Sequence, residues 1–211
     1  MQEYDVSVTF TDNLFLVDLV NNTDGVALAL DSIQGGKEWL GMDVLIFNSW
    51  HWWIRSGQGQ PWNYIQIGNQ KFKDMDRLDA YSKGMSTWSK WVDTNIDPAK
   101  TKVFFQGISP IHYDGHLWGQ PNAKTCTEQT KPLSGSTYPG GPVPSQGVVK
   151  SVLGKMSKPV TLLDLTLLSQ LRVDAHPSKY EGIHSNNDCS HWCLAGLPDT
   201  WNQLLYAELV L

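Results

Sequence analysis

Three cysteines, at positions 126, 189 and 193, are all that this sequence of 211 residues contains. The number alone is ambiguous, though an odd count leaves at least one without an internal partner. Which two pair is open. Positive charge is scarce as well: 16 Lys and Arg against 21 Asp and Glu give a net charge of −5. That argues against a nucleic-acid binder, which needs a basic face to replace phosphate counterions. No apolar run is long enough to span a bilayer, and Met1 to Phe10 alternates rather than forming the apolar stretch of a signal peptide. There is no glycine-rich phosphate loop and no internal repeat. Charged residues make up only 18% and hydrophobic residues 41%, the proportions of a folded chain rather than a disordered one. The length suits one domain, residues 1–211, with a real core.

Tryptophan, by contrast, is abundant, with ten copies. Its large ring is ordinarily a core residue with an N–H that needs a partner. The cluster Trp50, Trp52, Trp53 and Trp62 invites a second reading, aromatic faces stacked on sugar rings. Asn21-Asn22-Thr23 is a glycosylation sequon, a light indication of the secretory pathway.

The pattern along the chain is that of an α/β domain. Asp5 to Phe10 alternates as a strand would, and Val26 to Leu30 is short and apolar. Asp43-Val-Leu-Ile-Phe47 is apolar throughout, as a buried parallel strand is. Asn48 to Gln60 is then the loop at its carboxyl end, where such folds place their sites. Helical spacing of apolar residues runs from Lys73 to Val92, with Asp74, Asp76 and Asp79 suited to the helix N-terminus. Val103 to Phe105 and Val160 to Leu163 are two more strands. Between them, Ile108 to Gly147 is rich in Gly, Pro, Ser and Thr, a long irregular loop of the kind that carries function. Val148 to Met156 and Pro198 to Leu211 complete the pattern as helices. Strands alternating with helices imply a parallel sheet.

Asp188-Cys-Ser-His191 is the sharpest chemical signal. A carboxylate three residues before an imidazole can share one side of a helical turn and hold one tautomer, leaving the other ring nitrogen as a base. Asp174 and His176 form a competing pair at a spacing of two, which extended backbone also puts on one face; Pro177 favours that conformation. His112, Asp114 and His116 alternate like metal ligands, yet no further thiolate or carboxylate completes a site, so no metal and no bound cofactor are expected. Asp31-Ser32 ends an apolar run as a nucleophile turn would, but Leu30 stands where such a turn usually opens with glycine.

Several blocks together resemble one family, the plant trichome birefringence-like or PC-esterase proteins. They are Tyr4 to Phe10 with Phe15 to Asp18, Asp43 to Trp53, Lys73 to Arg77, Lys102 to Pro110, Asp174 to Ser178 and Asp188 to Trp201, in family order over nearly the whole chain. The resemblance implies an SGNH-hydrolase-like α/β sandwich with a mostly parallel sheet. It implies an O-acetyltransferase acting on cell-wall xylan, mannan or pectin, with a polysaccharide acetylesterase as the alternative. Asp188 and His191 would be the Asp and His of the family's Asp-x-x-His motif. Asn48 would stabilise the oxyanion, and His51, Trp52 and Trp53 would flank the acceptor groove. The co-substrate would be an acetyl donor such as acetyl-CoA, and the setting the Golgi lumen or membrane, or else the cell wall.

The family's serine lies in a Gly-Asp-Ser motif, and that tripeptide occurs nowhere here. Its place in the family is upstream of Tyr4, as are a cysteine-containing segment and a membrane anchor. The sequence therefore reads as N-terminally truncated and, alone, as a catalytically inactive product. Ala195 stands where the family has proline.

Overall fold

The structure is a computed structural model that describes residues 4–178 and 187–210. Among them run the strands β1 (Asp18–Asn22), β2 (Gly25–Ala29), β3 (Val44–Phe47), β4 (Tyr64–Ile67), β5 (Gln70–Phe72), β6 (Lys102–Gln106) and β7 (Thr161–Leu163). The helices are α1 (Arg77–Asn95), α2 (Pro144–Leu153), α3 (Thr166–Gln170) and α4 (Leu197–Val210). The chain divides into two compact units, Met1–Leu40 with Ser49–Asn95, and Gly41–Asn48 with Ile96–Leu211.

The first unit holds a mixed sheet in the order β1-β2-β4-β5. Its outer pairs are antiparallel and its central pair, β2 with β4, is parallel. Helix α1 begins where Asp76 Oδ1 accepts the N–H groups of Leu78 and Asp79 at 2.9 and 3.0 Å, the bonds of an N-cap carboxylate. Its buried residues, Ala80, Tyr81, Gly84, Met85, Trp88, Trp91 and Val92, recur at helical spacing and form one apolar stripe.

Trp53 lies in this core at 1% exposure, and Trp62 is buried too. Phe15 meets both rings edge-on at 5.6 and 5.4 Å. Trp53 Nε1 donates to Ser49 Oγ at 3.0 Å. These are packing residues, so the expectation that Trp53 flanks a groove and that Trp62 stacks on sugar is corrected: each ring's apolar area is covered by protein. Gly84 lets Trp53 approach α1, since a Cβ there would stand 2.6 Å from the ring's Cη2. Gly84→Ala gains about 1 kcal/mol of helix propensity, but the buried indole has nowhere to retreat and overpacking costs about 1–3 kcal/mol. The expected result is a lower urea midpoint at unchanged m-value.

The second unit is built on a parallel sheet in the order β3-β6-β7. The central strand β6 buries Val103, Phe104 and Phe105 in succession, as a strand covered on both faces does. The edge strand β3 buries only Leu45 and Phe47, while Val44 and Ile46 are 37% and 47% exposed. The reading of residues 43–47 as fully buried is corrected, because an edge strand pairs on one side and here only one of its faces packs. Residues 6–13 form no strand, and Val8 and Phe10 are exposed. Alternation alone gives no strand where no neighbour supplies ladder bonds.

At the carboxyl ends of the parallel strands stand Asn48, Gly107 with Ile108, and Asp164. The Gly107 N–H donates to the Leu163 carbonyl at 2.9 Å. A Cβ at Gly107 would lie 2.9 Å from that same oxygen and 3.1 Å from Gln146 Nε2, so a side chain would push the strand ends apart. Gln146, buried on α2, accepts the Ile108 N–H at 3.0 Å. From this point the long segment 108–143 leaves the sheet, and its own bonds tie it to residues 170–189. The Leu133 N–H donates to the Leu171 carbonyl, and Gln170 Nε2 to the Gly141 carbonyl.

Candidate functional site

Asp188 and His191 meet through one carboxylate used on both sides. Asp188 Oδ1 accepts the His191 N–H at 2.9 Å, the Ser190 N–H at 2.9 Å and the Ser190 hydroxyl at 3.0 Å. Oδ2 lies 2.6 Å from His191 Nδ1. The spacing of three is therefore closed by a bend rather than by the helical turn expected from sequence. A short polar side chain that captures the N–H groups two and three residues on is the usual maker of such a turn.

The electrostatics follow from this geometry. Burial raises the Asp188 pKa, but the His191 and Ser190 N–H groups, the His191 ring and the Ser190 hydroxyl outweigh it and bring it down to about 2. Asp188 is thus a buried, ionised acceptor. Facing an acceptor-only carboxylate, His191 Nδ1 is the donor of this contact, and Nε2 is the ring nitrogen left for a substrate, on a side chain that is 79% exposed. A carboxylate-held imidazole with an accessible lone pair can take a proton from a hydroxyl and return it to a leaving group.

The segment around this pair is fastened on every side. Asp188 exchanges backbone bonds with Ser178, at 2.9 and 3.3 Å. Cys189 is bridged to Cys126, and its carbonyl accepts the His112 N–H at 2.9 Å. The Cys193 N–H donates to the Ala175 carbonyl at 3.0 Å. Trp192 stacks on the His176 ring at 4.1 Å and meets Trp201 of α4 edge-on at 5.8 Å. Cys193 is the free thiol.

His176 and His112 are both buried. His112 Nδ1 stands 2.6 Å from His176 Nε2, and His176 Nδ1 stands 2.6 Å from the His191 carbonyl. Asp174 instead takes Arg172, at 2.8 Å from its Nε; the competing pair Asp174 and His176 does not form. Nor do His112, Asp114 and His116 point one way, since His112 is buried and the other two are exposed. Among the described residues no three His, Cys, Asp or Glu side chains gather as a metal site.

Asn48 follows β3 directly and is exposed. His51, Trp52 and Trp53 belong to the first unit. There Trp52 is exposed and carries the Arg55 guanidinium 5.0 Å from its ring centroid. Ser32 donates to Asp18 Oδ2 at 2.5 Å. Sequence reasoning does not place His112, Cys126 or Trp192 at the site: it weighs His112 only as a metal ligand, leaves the pairing of Cys126 open, and has Trp192 only as the residue next to His191.

Comparison with known proteins identifies the family. The PC-Esterase family, described as a GDSL/SGNH-like acyl-esterase family found in Pmr5 and Cas1p, matches residues 1–208. The chain is 58% identical to Protein trichome birefringence-like 38 of Arabidopsis thaliana over 100% of its own length and 55% of that protein's. It is 56% identical to Protein trichome birefringence-like 41, covering 99% of this chain and 59% of the relative. To Protein trichome birefringence, also of Arabidopsis thaliana, it is 37% identical over 100% of this chain and 37% of that one. The chain thus spans little more than half the length of the first two. With an α/β fold that includes a parallel sheet, and with the family's description matched almost end to end, the chain belongs to the PC-Esterase family.

Proposed function

We propose that this chain supplies the Asp-His half of a Ser-His-Asp acyl-transfer site that O-acetylates a plant cell-wall polysaccharide. The observation that carries the reading is the 2.6 Å contact of His191 Nδ1 with a buried, ionised Asp188 on an exposed imidazole. In the complete reaction His191 Nε2 takes the proton of a serine hydroxyl, and the serine oxygen attacks the carbonyl carbon of an acetyl donor such as acetyl-CoA. The tetrahedral intermediate expels the donor's thiol, which leaves with the proton from His191. A sugar hydroxyl then attacks the acetyl-enzyme, gives its proton to His191, and the serine is released. Asn48 at the carboxyl end of β3 is the candidate donor to the oxyanion. No Gly-Asp-Ser occurs in this sequence; the reading takes the serine from a longer protein that includes this chain, in a Golgi or cell-wall setting. Xylan, mannan and pectin are the acceptor classes.

Hydrolysis to acetate is the second reading, since the same residues serve water as acceptor. The test is a product assay on the full-length protein with labelled acetyl donor and each of the three polysaccharides. Transfer predicts label in the polymer. Label recovered only as free acetate selects the esterase, and release of neither product from any donor rejects both.

A further inference from the structure

The buried histidines form a relay that ends on the backbone of His191. Two backbone carbonyl oxygens flank the two imidazoles. His112 Nε2 is 3.1 Å from the Gln170 carbonyl, His112 Nδ1 is 2.6 Å from His176 Nε2, and His176 Nδ1 is 2.6 Å from the His191 carbonyl. Carbonyl oxygens close both ends, and they only accept. Three contacts therefore call for three protons, while two neutral imidazoles bring two.

Burial, with the neighbouring His176, pushes His112 down to about 3, and burial also lowers His176, so the neutral pair is the state to resolve. One arrangement keeps both 2.6 Å contacts as hydrogen bonds. His112 Nδ1–H donates to His176 Nε2, and His176 Nδ1–H donates to the His191 carbonyl. The contact left without a proton is then the longest, at 3.1 Å. The reverse arrangement sets the His176 Nδ1 lone pair against the His191 carbonyl at 2.6 Å, and a third sets two ring lone pairs together at the same distance. Both are repulsive in a buried site. If the pair takes up one proton, all three contacts are filled and His176 Nδ1 again carries hydrogen.

The charged and titratable groups around the pair leave this assignment in place. Asp188 and Asp174 favour positive charge on His176 and His191 opposes it. Tyr138 meets His112 at 6.1 Å between ring centres, and burial, with the Asp114 charge, raises its pKa to about 12, so it stays neutral. The stack of His176 on Trp192 fixes the ring plane.

We propose that His176 is a positioning residue for His191: its Nδ1–H, oriented by His112, holds the His191 carbonyl while Asp188 holds the His191 N–H and ring. The backbone of a largely exposed side chain is then gripped from both sides. The proposal rests on His191 being the base, but its first test does not require activity. Long-range ring 15N spectra of this chain at neutral pH are expected to show His176 and His112 each protonated at Nδ1. A bare Nδ1 on His176 overturns the assignment.

Two variants then separate donor from packing. His176→Phe keeps a flat ring against Trp192 and loses the donor. His176→Asn keeps an N–H near the Nδ1 position and loses the aromatic stack. The expected result is loss of the low-field Nδ1–H resonance of His191 in the Phe variant and its retention in the Asn variant. Retention in Phe with loss in Asn makes His176 a packing residue only and overturns the proposal. In the full-length protein the Phe variant is expected to lower kcat about tenfold at unchanged KM, the size of one lost charge-orienting hydrogen bond. Should the full-length wild type show no acyl transfer, the functional reading fails while the spectra still decide the relay. Should the Phe variant not fold, the wild-type 15N pattern decides alone.

Discussion

Asp188→Asn in the full-length protein is expected to lower kcat by about 10⁴-fold while leaving the fold intact, the scale seen when a triad carboxylate becomes an amide. The geometry gives the reason. Asn keeps an oxygen where Oδ1 accepts the Ser190 and His191 N–H groups at 2.9 Å, so the bend survives. Its NH2 replaces Oδ2, which stands 2.6 Å from His191 Nδ1. A donor at that distance forces Nδ1 to become the acceptor and moves the proton to Nε2. The nitrogen that should receive a hydroxyl proton is then occupied.

The same substitution carries a stability signature with a fixed sign. The Asp188 pKa, lowered from 3.8 to about 2 in the fold, means that the ionised carboxylate stabilises the native state. Burial opposes this and the four hydrogen bonds outweigh it. The contribution is about 2 kcal/mol. It is fully present above the unfolded value near 4 and is lost as pH falls through the folded value near 2. Urea midpoints of wild type and Asp188→Asn should therefore differ at pH 7 and converge on acidification. A kcat within tenfold of wild type, or a stability gap that widens toward pH 2, would contradict the role given to this carboxylate.

Local pattern made most of the regular elements legible. The apolar spacing of Met85, Trp88 and Val92 marks α1, and the short apolar runs within 44–47, 102–106 and 161–163 are legible as strands of a parallel ladder. The hairpin of β4 and β5 was missed, although Gly68-Asn69 between Ile67 and Gln70 is a two-residue hairpin signal. Tyr64 to Phe72 mixes polar residues into short strands, which weakens the alternation. The error at residues 5–10 runs the other way, since periodicity reports which face a strand would bury and says nothing of whether a partner exists. Within the site, the separation of Asp188 and His191 could be read because three residues of backbone limit where the side chains go. The contacts of His112 with His176, 64 residues apart, left no trace in spacing. Each depends on how the long loop after β6 folds back. Tryptophan content was a poor guide for the same reason: Trp52 and Trp53 are neighbours in sequence, yet one is exposed and the other is enclosed by Phe15 and Tyr81.

The disulfide gives the opposite pairing of effects. Cys126 and Cys189 are 63 residues apart in sequence, and closing a loop of that length removes unfolded-state entropy worth about 4 kcal/mol. Cys126→Ser is expected to lose about that much in urea unfolding, and reductant should reproduce the loss in the wild type. Cys193→Ser breaks no bridge, since Cys193 is a free thiol, and should stay within about 1 kcal/mol. Activity should follow a different course. Asp188 keeps its backbone exchange with Ser178, Cys189 its bond from the His112 N–H, Cys193 its bond to Ala175, and His191 its grip from His176. Well below the melting temperature, kcat in the full-length Cys126→Ser protein should therefore remain within a few-fold of wild type. The bridge acts mainly on the unfolded chain, whereas in the proposed mechanism the carboxylate acts on the proton of His191. A collapse of kcat at low temperature would mean that the bridge, rather than the hydrogen bonds around it, sets the Asp188–His191 distance.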